Sequence, residues 1–167
     1  MIYILTGAIR SGKTTALLHW FKNRNDVDGL LCPDDANGKR YFLKLKNKTI
    51  FKLEAEAEAE NEVEIIAIVA IGNFKFLRSA FNEANDYLIL EASKTEPKYL
   101  IIDEIGKLEL KNEGLHVSTK ALISQFRFND NTHLILVVRD YLLDAVLKHY
   151  GITECSILNT EDLKNLI

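Results

Sequence analysis

One octapeptide restricts this chain more than any other stretch. Gly7-Ala8-Ile9-Arg10-Ser11-Gly12-Lys13-Thr14 meets the pattern G-x-x-x-x-G-K-[ST]. It stands between a short apolar run, Ile2 to Leu5, and Ala16, Leu17, Trp20 and Phe21 at helical spacing. The run reads as a buried strand and the spaced residues as a helix, so the loop between them lies where a helix N-terminus faces outward. The two glycines let the backbone curl until its N–H groups converge, and the helix dipole favours an anion there. Gly7, Ala8, Ile9, Arg10, Ser11, Gly12, Lys13, Thr14 and Thr15 are therefore the expected phosphate-binding residues. Lys13 is expected at the β- and γ-phosphates, Thr15 at the α-phosphate, and the Thr14 hydroxyl on Mg²⁺. Arg10 stands where a third glycine is common, and its backbone is expected to suit a side chain. Its own side chain reads as a solvated loop arginine or as a contact to triphosphate or partner.

Downstream the chain alternates. Gly29–Cys32, Tyr41–Leu45 and Thr49–Leu53 are β-prone and broken by Pro33-Asp34-Asp35 and Asn37-Gly38, which predicts short strands in hairpins. Residues 54–60 alternate Glu and Ala and read as a solvated edge strand or loop, or as a contact for a basic partner. Val63 to Ile71 reads as a strand, Phe76 to Ala92 as a helix with one apolar face, and Tyr99 to Ile102 as a wholly apolar strand. Gly114–Phe126, Leu134–Val138, Asp140–Tyr150 and Cys155–Leu158 continue the helix–strand alternation, and Asn159 or Thr160 is placed to cap a last helix. Strands apolar on both faces, alternating with helices, predict an α/β fold of three layers. The sheet is expected to be mostly parallel, with helices on both faces and a β-hairpin-rich insertion near residues 28–71.

At 167 residues, without repeat or linker, the chain reads as one domain spanning residues 1–167. A net charge of −3 gives no electrostatic grip on nucleic acid or anionic lipid. No segment resembles a leader or reaches membrane-spanning length, so a soluble protein of the cytoplasm is expected. Cys32 and Cys155 have no metal spacing and read as small apolar residues on or beside strands. His19, His116, His133 and His149 read as ordinary surface or capping residues. The oligomeric state is left open by the sequence.

The second chemical signal is Tyr99-Leu-Ile-Ile-Asp103-Glu104. A carboxylate ending a buried strand is the arrangement in which Asp103 holds magnesium through water. Glu104 beside it can accept a proton from attacking water, which makes Lys13 and Glu104 the candidate catalytic pair.

The glycine loop together with Ile102-Asp103-Glu104-Ile105-Gly106-Lys107-Leu108-Glu109-Leu110 resembles the THEP1-type nucleoside-triphosphatases. Their string reads Asp-Glu-Ile-Gly-Lys-Met-Glu-Leu, with methionine where Leu108 stands. The Ile71-Gly72-Asn73-Phe74 turn also fits that family. The resemblance implies a P-loop NTPase fold in which another strand separates the two motif strands. It also implies slow Mg²⁺-dependent hydrolysis of ATP, GTP and other nucleoside triphosphates to diphosphate and phosphate. By position Lys13, Thr14 and Asp103 carry over as phosphate and metal residues, Glu104 as the base, and Lys107 without a defined role. The chain departs from the family at Arg10, and keeps fragments of a Gly-x-Arg-x-Gly-Phe motif in Gly38-Lys39-Arg40-Tyr41-Phe42. A histidine common after the next strand is replaced near Val138-Arg139-Asp140. Arg139 is read either as a contact to the γ-phosphate or as the partner of a surface carboxylate.

Two other functions compete with hydrolysis. A P-loop kinase would pass the γ-phosphoryl group to a nucleotide or small metabolite, but the chain shows no arginine-bearing lid, and no cysteine pairs of the thymidine-kinase type. A regulatory module would use nucleotide occupancy as a switch.

Overall fold

The computed structural model describes residues 1–55, 68–94, 97–129 and 131–166. Among the described residues there are nine strands: β1 (Ile2–Gly7), β2 (Val27–Leu31), β3 (Tyr41–Lys44), β4 (Thr49–Lys52), β5 (Ile68–Ile71), β6 (Phe74–Leu77), β7 (Tyr99–Ile105), β8 (His133–Arg139) and β9 (Ser156–Leu158). The α-helices are α1 (Lys13–Phe21), α2 (Arg78–Ala92), α3 (His116–Phe126) and α4 (Leu143–Tyr150). Seven strands form one sheet in the order β4-β3-β2-β7-β8-β1-β9. From β2 to β9 every neighbouring pair is parallel, while β3 and β4 are added antiparallel at one edge. The expected insertion is thus partly absorbed into the sheet, and β5–β6 forms a separate hairpin.

The alternation of side chains along the central strands builds two cores. Leu100 and Ile102 of β7, Leu134, Leu136 and Val138 of β8, and Ile4 of β1 face α2, α3 and α4. Tyr99 and Ile101, Ile135 and Val137, and Leu5 face α1 and Leu163 on the other side. Each strand is buried on both faces, so the sheet lies between two helical layers as expected from its apolar runs. This is the P-loop NTPase fold, and β8 separates β1 from β7. Parallel strands put the carboxyl ends of β1, β7 and β8 side by side, which is where α/β sheets bind ligands.

Several boundaries differ from the sequence expectation. Phe76 lies in β6 rather than opening a helix, and α2 begins at Arg78. The last segment forms only a 3-10 turn, Asp162–Asn165, instead of a capped helix. Asp140–Leu142 is likewise a 3-10 turn before α4. The strand read from Val63 is described from Ile68 onward, and the Glu-Ala alternation lies mostly outside the described residues. Among the described residues no helix is long and apolar enough to cross a membrane.

Candidate nucleotide site

β1 ends at Gly7, the loop runs through Ala8, Ile9, Arg10 and Ser11, and Gly12 caps α1. Gly12 has φ 81° and ψ 16°, a left-handed conformation that suits glycine, and this turns the chain into the helix. Arg10 is also left-handed, with φ 59°. The sequence reading expected a backbone suited to a side chain there; the loop instead keeps the curvature glycine normally provides, at a cost of about 1–2 kcal/mol. Lys13 folds back over the loop. Its ammonium donates to the carbonyls of Gly7 at 2.9 Å and Ala8 at 2.8 Å, and to Ser11 Oγ at 3.3 Å. Burial lowers the Lys13 pKa, against the opposing charges of Glu104 and Asp103.

Thr14, in the first turn of α1, donates from its hydroxyl to Asp103 Oδ2 at 2.8 Å. Asp103 is 1% exposed and also accepts the N–H of Cys32 at 3.0 Å and of Glu104 at 2.9 Å. Burial, and then the charge of Glu104, push its pKa up to about 6 although all three hydrogen bonds favour the anion. A hydroxyl and a carboxylate in contact are hard oxygen donors of the kind a divalent cation takes. A cation would offset the burial penalty that raises the Asp103 pKa. Magnesium is typically held by one or two carboxylates plus phosphate oxygens. The pair therefore fits such a cation, and no cluster of three or more potential ligands exists among the described residues.

Glu104 shows something the sequence hides. Ile102 is opposite Leu136 and Ile105 opposite Val138, so β7 carries one extra residue across this interval. The bulge puts Glu104 at φ 64°. A left-handed glutamate at a bulge re-aims its side chain, and such outliers gather near functional sites. The carboxylate meets Arg139 at 3.1 Å and Arg40 at 3.8 Å. Of the two readings of Arg139, the structure gives the carboxylate contact, and the partner is the candidate base itself. Arg40 lies just before β3, 4.9 Å from the Phe74 ring centroid and 3.8 Å from Asp34. Sequence reasoning gave Arg40 no role; its only signal was the fragment Gly38-Lys39-Arg40.

The loop and α1 residues Ile9 to Thr15, with Pro33, Arg40, Glu104 and Arg139, enclose a cleft of about 460 Å³. Of the expected phosphate-binding residues, Ile9, Arg10, Ser11, Gly12, Lys13, Thr14 and Thr15 line it directly, and Gly7 and Ala8 form the loop's entry. His19, His116 and His149 lie outside its lining, and His133 instead packs between Tyr3 and Tyr99.

Fold and loop together define a protein of the P-loop NTPase class. A family model described as NTPase matches residues 2–157, and the chain belongs to this family, the THEP1-type NTPases. Its structure is similar to the crystal structure of THEP1 from the hyperthermophile Aquifex aeolicus, with a TM-score of 0.68. That likeness covers 100% of this chain and 97% of the other at 17% identity, so it speaks for the fold alone. No curated protein matches the sequence at a significant level.

Proposed function

We propose that the chain, acting as a single domain over residues 1–167, hydrolyses ATP, GTP and other nucleoside triphosphates to diphosphate and phosphate with Mg²⁺. Membership of an NTPase family supports hydrolysis in general. The observation that carries the mechanism is the contact of Thr14 with Asp103 beneath the loop, with Glu104 next to it in the same cleft.

In this reading the loop amides from Gly7 to Thr15 surround the phosphates. The Lys13 ammonium exchanges its bonds to the Gly7 and Ala8 carbonyls for β- and γ-phosphate oxygens. Thr14 and Asp103 would hold Mg²⁺, which supplies positive charge to the phosphate oxygens as they gain electron density. Glu104 orients a water and accepts its proton while the water oxygen bonds to the γ-phosphorus. The bond from that phosphorus to the bridging oxygen breaks and the diphosphate leaves. Arg139 and Arg40 pair with the Glu104 carboxylate and line the same cleft, where their charge would stabilise the γ-phosphoryl group as it transfers. The proposed workplace is the cytoplasm, where triphosphate is available; the small net charge supports a small-molecule substrate over nucleic acid.

Phosphate release across ATP, GTP, CTP and UTP, with Mg²⁺ and with EDTA, tests the proposal. Release only in Mg²⁺ is the expected result. Lys13→Ala should remove or strongly weaken triphosphate binding in calorimetry, and unchanged affinity would sink the assignment of the loop. Triphosphate consumption that depends on an added acceptor, with diphosphate but no free phosphate released, would move the protein to the kinases.

A further inference from the structure

A second chamber of about 270 Å³ adjoins the nucleotide cleft. That is close to the lower bound for cavities that hold small molecules. Its interior is apolar: Phe42, Leu53, Phe76, Phe81 and Leu115 line it, all buried. Phe81 meets both Phe42 and Phe76 edge to face, with ring centroids 5.7 Å and 6.0 Å apart. Such walls offer water few partners and suit an apolar body.

The polar groups are unequal in charge. Arg40, Lys107 and Arg139 line the chamber with Glu104 and Glu109. Glu109 is 2% exposed, and its two oxygens are taken by the N–H groups of Gly106 and Leu115, each at 2.8 Å. Glu104, together with Asp34 at 3.8 Å from Arg40, then opposes three cations, and one positive charge is left over. Arg40, Glu104 and Arg139 face the nucleotide cleft as well, but Lys107 lines only this second chamber. Lys107 is exposed and has no ion-pair partner among the described residues. Hydrolysis gives it no task.

We propose that this chamber binds a small apolar carboxylic acid, its body among the phenylalanines and its carboxylate at Lys107. A neutral molecule would leave the surplus positive charge unanswered, and the volume excludes anything much larger than one ring with a short chain. Because Arg40, Glu104 and Arg139 face both chambers, an occupant alters the rate at which the nucleotide site turns over. That consequence rests on the proposed hydrolase function; the binding itself does not.

Fluorine NMR titration of nucleotide-free protein with para-fluorophenylacetate, and with its neutral amide, separates the parts. The acid should bind about two- to fivefold more tightly than the amide, the range for one charged contact near a surface. Lys107→Ala should reduce the acid to the affinity of the amide, and Lys107→Arg should keep the preference. Ile71→Trp, which fills the chamber from its half-buried wall, should abolish both. Equal affinity for acid and amide, a preference that survives Lys107→Ala, or no binding of either at millimolar concentration would each overturn the proposal. Saturating acid should then change the ATP hydrolysis rate, and an unchanged rate in an active preparation would overturn the coupling. A protein that binds the acid but hydrolyses no triphosphate would overturn the hydrolase reading and leave the acid site standing.

Discussion

The Thr14 hydroxyl donates to the Asp103 carboxylate at 2.8 Å, joining the first turn of α1 to the end of β7. β8 intervenes between β1 and β7 in the sheet, so this bond ties the glycine loop to the carboxylate strand across a neighbouring strand. In the proposed mechanism these two oxygens hold Mg²⁺. Asp103→Asn should therefore raise the Mg²⁺ concentration for half-maximal phosphate release by about tenfold or more, and lower the maximal rate as well. Thr14→Ala should lower turnover while sparing triphosphate binding measured in EDTA. A Mg²⁺ requirement unaltered in both variants would remove these residues from the metal site.

Glu104→Gln keeps the shape of the side chain but removes the proposed proton acceptor. General-base contributions are on the order of 10²–10⁴ in rate, so kcat should fall by about that factor with little change in triphosphate affinity. The amide also forfeits charge pairing with Arg139 and Arg40, so any structural effect should appear as a lower melting temperature. Hydrolysis of ATP and GTP at the wild-type rate would leave Glu104 as a partner for two arginines and nothing more.

Arg10 holds a left-handed backbone that glycine adopts freely. Arg10→Gly removes that strain but gives the unfolded chain more freedom, and the second effect offsets part of the first. The expected net stabilisation is about 0.5–1 kcal/mol, read from urea unfolding. A loss of stability would mean the exposed arginine side chain makes a contact that outweighs its backbone.

The parts legible in the sequence are those in which neighbouring residues carry the information. The loop, the two-faced strands and the Asp103-Glu104 pair are local patterns, and the three-layer α/β fold follows from the burial that apolar runs require. The β7 bulge is different, because it is defined by register against β8, and nothing in Ile102 to Ile105 announces an extra residue. Arg40 was hidden for the same reason: its place beside Glu104 depends on β3 joining β2, a long-range pairing. The start of α2 was misplaced because Phe76 satisfies both the helical face and the β6 pairing with Val69, and the hairpin wins through that cross-strand contact. The last helix is replaced by a 3-10 turn, Asp162–Asn165, that presents a single buried residue, Leu163, to the core.

Glu109 gives the protein a pH dependence of definite sign. Its carboxylate accepts the N–H groups of Gly106 and Leu115, and Gly114 at φ 62° leaves space for it: a Cβ there would lie 2.2 Å from Glu109 Oε1. Burial outweighs the two bonds and pushes the Glu109 pKa up to about 7. The folded state therefore keeps this proton up to about pH 7, while the unfolded chain releases it near its ordinary value of about 4.3. In that window the folded state binds more protons than the unfolded one, so stability falls as pH rises through it. The stabilisation is fully present below the window and lost above it, a change on the order of 3 kcal/mol. Glu109→Gln cannot titrate and leaves one N–H facing an amide nitrogen, at a cost of about 1–3 kcal/mol. It should therefore be less stable than wild type near pH 5 and approach or pass it near pH 8. Asp103, whose pKa is raised in the same direction, is present in both proteins and cancels in the difference. Urea unfolding of the two proteins across this range measures it, and a difference that stays constant with pH would show that Glu109 keeps one charge state throughout.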